Sequence, residues 1–85
     1  MKQLKDLLYR VSIEAVKGTT DISVNLPDFD SRKIGPDDAF VAIRGTVSDG
    51  HDFIEKAINQ GATAIICEKF PDVIVSGITY VQVRD

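Results

Sequence analysis

Apolar positions along this chain alternate between two spacings, and each spacing predicts an element. Leu4, Leu7, Leu8 and Val11 follow the i, i+3, i+4, i+7 template, so the first ten or so residues read as a short amphipathic helix. Residues 12–17 are ambiguous, and Lys17-Gly18-Thr19-Thr20 is turn chemistry. In "DISVNL", Ile22, Val24 and Leu26 share one face of a strand, which Pro27 is expected to end. "DFDSRKI" reads as a short extended piece and a turn, followed by a loop over Gly35-Pro36-Asp37-Asp38. "AFVAI", 39–43, is continuously apolar, as suits a strand covered on both faces. Phe53, Ile54, Ala57 and Ile58 form one stripe of a helix over 53–60. Asp52 and Glu55 stand at capping-box spacing there, and Gly61 sits just past the helix end. "ATAIICE" is a second buried strand and "ITYVQV" a third, more loosely patterned one.

Strand 39–43, helix 53–60 and strand 63–67 make a β-α-β unit, whose strands should run parallel with a right-handed crossover. The predicted fold is therefore α/β, a small mixed sheet built around that unit. Eighty-five residues make one domain. Its net stability should be roughly 4 to 13 kcal/mol.

Between the two halves of the unit lies "RGTVSDGH", 44–51, far more polar backbone than a tight connection requires. It leaves the carboxyl end of a strand and leads into a helix start. Ligands of open α/β sheets tend to bind at such ends, and free N–H groups there favour an anion. The loop lacks the Gly-Lys-Ser/Thr ending of a P-loop and also lacks G-x-G-x-x-G. The residues themselves leave a plain surface connection and a ligand-contacting loop both open.

Charge and composition narrow the partners. The net charge is −3 with no basic stripe, which argues against nucleic acid. No apolar run is long enough to span a membrane, and the lysine-bearing N-terminus lacks the apolar stretch of a signal peptide. The single cysteine, Cys67, cannot form an internal disulfide, which fits a reducing cytoplasm. Inside an apolar strand it reads as a small buried hydrophobe. His51, the only histidine, reads as a cap or packing group before a catalyst, because a base needs an orienting partner and a nucleophile. Asp28 and Asp30 form a D-x-D without a third ligand, and Asp30 reads better as a turn former. Ser31 and Arg32 could meet a phosphate or ribose, but read by themselves as a solvated turn. Too few groups are present for an active site, so a chain of this kind, acting alone, binds rather than catalyses.

Taken together, "DSRKIGPDDAFVAIRGTVSDGHDFIEKAINQGATAIICE" resembles the N-terminal domain of the Mur ligases. The Asp-Ser-Arg turn, Phe-Val-Ala-Ile, Arg-Gly and the Asp-Gly-His start of a helix ending in Gly-Ala-Thr-Ala carry the resemblance, which covers the whole chain. It is strongest to the branch that adds an amino acid to UDP-N-acetylmuramoyl-L-alanyl-D-glutamate in peptidoglycan and cell-wall synthesis. The resemblance implies a cytoplasmic, ATP- and magnesium-dependent ligase of which 1–85 is the UDP-substrate-binding domain. The ATP-binding central domain and the C-terminal domain would lie outside this chain, and the 85 residues alone would neither ligate nor carry a cofactor. It implies substrate contacts at Phe29, where the family usually has a smaller aliphatic residue, and at Ser31. It also implies them at Thr46, Val47 and Ser48, where some members have His-Gln-Ala and backbone contacts carry over more safely. The branch that adds D-alanyl-D-alanine has a similar first domain. A non-catalytic regulatory domain of similar fold, like that of bacterial HPr kinase, is the rival from another class.

Overall fold

The computed structural model describes residues 1–44 and 49–84. Along the chain run β1 (Lys2–Gln3), α1 (Leu4–Leu7), β2 (Ile13–Lys17), β3 (Ser23–Val24), β4 (Pro27–Asp28), β5 (Ala39–Val41), α2 (Ile54–Asn59), β6 (Ala64–Cys67) and β7 (Thr79–Val83). Short 3-10 turns occupy Ser31–Lys33 and Gly50–Phe53. Five strands form one sheet in the order β2-β7-β6-β5-β4, and β1 pairs with β3 in a separate ribbon. Strands β4 to β7 are mutually parallel and β2 closes the edge antiparallel to β7, so the sheet is mixed. β5 and β6 are adjacent and parallel, with Phe40 opposite Ile65, as the strand–helix–strand pattern predicts.

Side chains alternate across the sheet and build a core on each face. Phe40, Ile65, Cys67 and Tyr80 point to one side and pack with Ile34, Ile54 and Ala57. Ala39, Ala64 and Val81 point to the other and pack with Leu4, Leu8 and Val24. This is why "AFVAI" reads as a continuous apolar run. Phe53 and Ile58 flank the first core, so the predicted stripe of the helix is the face that packs.

Four expectations need correction. The N-terminal helix is a single turn. Leu4 and Leu8 are buried at i, i+4 spacing, but the chain leaves the helix before Arg10, which has φ 69°, and Val11 stays exposed. The strand expected over 22–26 shrinks to Ser23–Val24, with Val24 buried and Leu26 exposed. Pro27 does not terminate pairing; it is itself in β4, opposite Ala39. An edge strand tolerates its missing N–H. Finally, Asp52 and Glu55 form no capping box. The helix is preceded by a 3-10 turn capped by Asp49, and Phe53 at the α2 N-cap makes no side-chain cap bond.

Candidate functional site

The carboxyl ends of β4 and β5 open onto a cleft of about 470 Å³. Phe29, Asp30, Ser31 and Arg32 line it from the turn after β4, and Ile43, Gly50, Phe53 and Lys56 line it from the other wall. Two of the residues expected at a site, Phe29 and Ser31, thus share one cavity. The other three, Thr46, Val47 and Ser48, lie outside the described residues.

The turn that presents Ser31 is built from its own side chains. Asp28 Oδ1 accepts from the Asp30 N–H at 2.9 Å, and Asp30 Oδ1 accepts from the Arg32 N–H at 3.0 Å. The D-x-D pair is therefore engaged in turn formation, as its sequence suggested for Asp30. The Gln60 side-chain amide, at the end of α2, donates to the carbonyls of Ser31 and Ile34. Sequence reading missed this Gln60 tie, since a polar helix-end residue has no periodic signature. The result is a nearly buried Ser31 whose hydroxyl has no hydrogen-bond partner among the described residues. Phe29, by contrast, leaves 69 % of its surface exposed.

Arg32 does not offer an open fork. Its Nε and Nη2 donate to Asp30 Oδ1 and Oδ2 at 3.0 and 2.9 Å. With that pair neutralised, Lys56 gives the rim its net positive charge. Lys56 was not singled out from the sequence, and Phe53 only as part of the helix's apolar stripe, although their i, i+3 spacing puts them on neighbouring positions of one helical surface.

The hydrogen bonds from the Arg32 side chain and backbone pull the Asp30 carboxyl down to about 2. An acid lowered on folding stabilises the fold above its unfolded pKa and stops doing so as pH falls through its folded one. For Asp30 that window runs from about 3.8 down to about 2. Thermal melts across it should show the parent losing stability more steeply than Asp30→Asn, which has no proton to take up. Parallel curves for the two would contradict this role.

Asp49 and His51 hold the opposite wall. Asp49 Oδ1 accepts from the His51 N–H at 3.0 Å and lies 2.6 Å from His51 Nδ1. The His51 N–H and ring hydrogen bonds keep the Asp49 carboxyl below its ordinary range. His51 Nε2 in turn accepts from the backbone N–H groups of Glu68 and Lys69, at 3.1 and 3.2 Å. The histidine is thus a fastening group, in line with the cap or packing role. Cys67 is fully buried, and burial pushes its thiol up to about 11, as befits a packing residue rather than a nucleophile. Among the described residues, no group of three or more His, Cys, Asp or Glu could hold a metal ion, and no helix is long and apolar enough to cross a membrane.

Comparison with known proteins agrees with this architecture. Residues 28–83 match the family described as "Mur ligase family, catalytic domain". The UDP-N-acetylmuramoyl-L-alanyl-D-glutamate–2,6-diaminopimelate ligase of Cytophaga hutchinsonii is 46 % identical over 98 % of this chain. The ligase of the same name from Bacteroides thetaiotaomicron is 44 % identical over 96 %. This chain spans only 17 % of either. Among solved structures, the UDP-N-acetylmuramoylalanyl-D-glutamyl-2,6-diaminopimelate–D-alanyl-D-alanyl ligase from Acinetobacter baumannii shares the fold, with a TM-score of 0.73 over 99 % of this chain and 18 % of its own, at 23 % identity. The MurF ligase from Thermotoga maritima, solved with ADP, is 38 % identical over 65 % of this chain and 13 % of its own, with a TM-score of 0.58. Family match, relatives along nearly the whole sequence and a shared fold agree: the chain belongs to the Mur ligase family.

Proposed function

We propose that this chain is the substrate-recognition domain of an ATP-dependent peptidoglycan-precursor ligase. It holds the UDP end of UDP-N-acetylmuramoyl-L-alanyl-D-glutamate while the rest of the enzyme adds the third residue of the stem peptide. The observation that carries this reading is the Phe29–Ser31–Lys56 cleft at the carboxyl ends of β4 and β5. An exposed aromatic ring suits the face of a uracil. A hydroxyl without a described protein partner and an ammonium group suit a diphosphate. Thr46, Val47 and Ser48 join the site on resemblance alone. Holding a remote part of the substrate lets binding energy position its reacting end in another domain.

ATP and magnesium belong, in this reading, to the rest of the enzyme. The chain has no Gly-Lys-Ser/Thr stretch to cradle a triphosphate. A nucleotide-linked substrate and a buried free thiol suit a cytoplasmic enzyme. The D-alanyl-D-alanine-adding branch is a second reading, favoured by the 38 % identity to the Thermotoga ligase. That identity covers 65 % of the chain, against 46 % over 98 % for the Cytophaga relative, so we prefer the first.

A chemical-shift titration with UDP tests the site. Phe29, Ser31 and Gly50 should shift. Ser31→Ala should weaken binding roughly tenfold to hundredfold, the worth of one hydrogen bond to a charged group. A parent chain in which UDP moves none of these residues would falsify the assignment; equal binding by Ser31→Ala would reduce Ser31 to a turn residue.

A further inference from the structure

Residues 49–53 serve two clefts at once. Gly50 and Phe53 line the Ser31 cleft, whereas His51 and Asp52 line a neighbouring one of about 590 Å³ with Arg44, Glu68 and Lys69. The side chain between them is anchored at both ring nitrogens. Two backbone N–H groups, from Glu68 and Lys69, point at Nε2, so that nitrogen must be the acceptor. The ring proton then sits on Nδ1 and donates to Asp49. Asp49 also caps the Gly50–Phe53 turn, pairs with Arg44 as an isolated antiparallel bridge and lies 3.9 Å from the Arg44 guanidinium. The Gly50 N–H donates to the Ile43 carbonyl at 2.7 Å. The Gly50–Phe53 turn is therefore tied to the backbone just after β6 through one imidazole, in addition to its Gly50 bond to Ile43.

We infer that His51 is a positioning residue for nucleotide binding, setting Gly50 and Phe53 against Ser31 by bridging Asp49 to the backbone after β6. The inference rests on the proposed UDP site and adds a residue that touches no ligand. An imidazole suits the task because one rigid ring supplies a donor on one edge and an acceptor on the other. Removing it leaves the two N–H groups and the Asp49 carboxylate without this link, and the Gly50–Phe53 turn loses its side-chain tie to the backbone after β6.

The test is UDP affinity by chemical-shift titration of the 85-residue chain, its His51→Ala and His51→Gln variants, and Ile65→Val as a control for lost thermal stability. Glutamine places an acceptor oxygen near the Nε2 position, and the backbone N–H of residue 51 keeps its bond to Asp49 in either variant. His51→Ala should stay folded and lose about tenfold or more in affinity, while His51→Gln recovers most of it. Ile65→Val should lose thermal stability and keep its affinity. Equal affinity in parent and His51→Ala overturns the positioning role and leaves the site intact. A His51→Gln variant as weak as His51→Ala overturns it too. Should His51→Ala not fold, His51→Gln alone decides: affinity near the parent's supports the role, and a tenfold loss in the folded variant refutes it. A parent that does not bind UDP overturns the site itself, and this inference with it.

Discussion

Phe40→Ala should leave the domain close to unfolding. Phe40 is fully buried in the middle of β5, packed between α2 and its sheet neighbours. Deleting a buried phenylalanine ring costs roughly 3 to 5 kcal/mol, from lost transfer energy and the cavity left behind. A chain of this length has only roughly 4 to 13 kcal/mol to lose. The core is thin, so neighbours have little bulk with which to collapse into the gap. Alanines already occupy positions 42, 57 and 62 around the ring. Urea unfolding followed by circular dichroism should show a sharply lowered midpoint, or no native baseline at all. A loss under about 1.5 kcal/mol would mean that Phe40 does not anchor this core.

How far the sequence discloses this molecule depends on how much each segment is buried. β5, α2 and β6 were legible because both faces of the strands and one stripe of the helix are packed. Burial writes itself into the sequence as runs and stripes. β2 was not legible. It is an edge strand, and only Ala15 in it is even partly covered, so no alternation was imposed on "IEAVK". The N-terminal helix shows the opposite failure. Leu4, Leu7, Leu8 and Val11 have helical spacing, yet tertiary packing uses Leu4 and Leu8 on the far face of the sheet and leaves Val11 exposed. Capping was misplaced because a capping-box pattern at Asp52 and Glu55 is local, whereas the observed cap at Asp49 belongs to a turn fixed by His51 and β6.

The site divides in the same way. Asp30 as a turn former and His51 as a cap or packing group rather than a catalyst followed from residue chemistry. That Ser31 and Phe29 belong to one cleft came from family resemblance, not from spacing. Lys56 and Gln60 were overlooked because exposed polar positions on a helix look alike until the neighbouring turn is placed against them. The polar segment 44–51 remains the plainest clue. A connection this long between two core elements makes sense when its ends are pinned, and Arg44 and Asp49 are paired.

Gly50→Ala should be among the most damaging single-methyl changes in the chain. Gly50 needs no left-handed backbone; it needs room. A Cβ there would stand 2.7 Å from the Ile43 carbonyl oxygen, 2.8 Å from the Ile43 nitrogen and 3.2 Å from the Ala42 Cα. All three are backbone atoms, so no side chain can swing aside. The chain beneath them, just past β5, is held by the Ala42 N–H bond to the Ile66 carbonyl at 2.7 Å, and cannot retreat without breaking it. The turn must therefore lift away from β5, with the Gly50–Ile43 hydrogen bond and the His51 anchor both strained or lost. Overpacking of this kind costs about 3 kcal/mol, at the upper end of its usual range. Gly50 also lines the Ser31 cleft, so whatever fraction stays folded should bind UDP poorly. Gly35→Ala is the internal comparison. Its Cβ would meet nothing closer than Asp38 Oδ2 at 3.7 Å, an ordinary contact, and should change stability by less than about 0.5 kcal/mol. Thermal melts of the two variants should separate clearly. If they melt together, the close approach of the Asp-Gly-His turn to β5 is not what selects glycine at position 50.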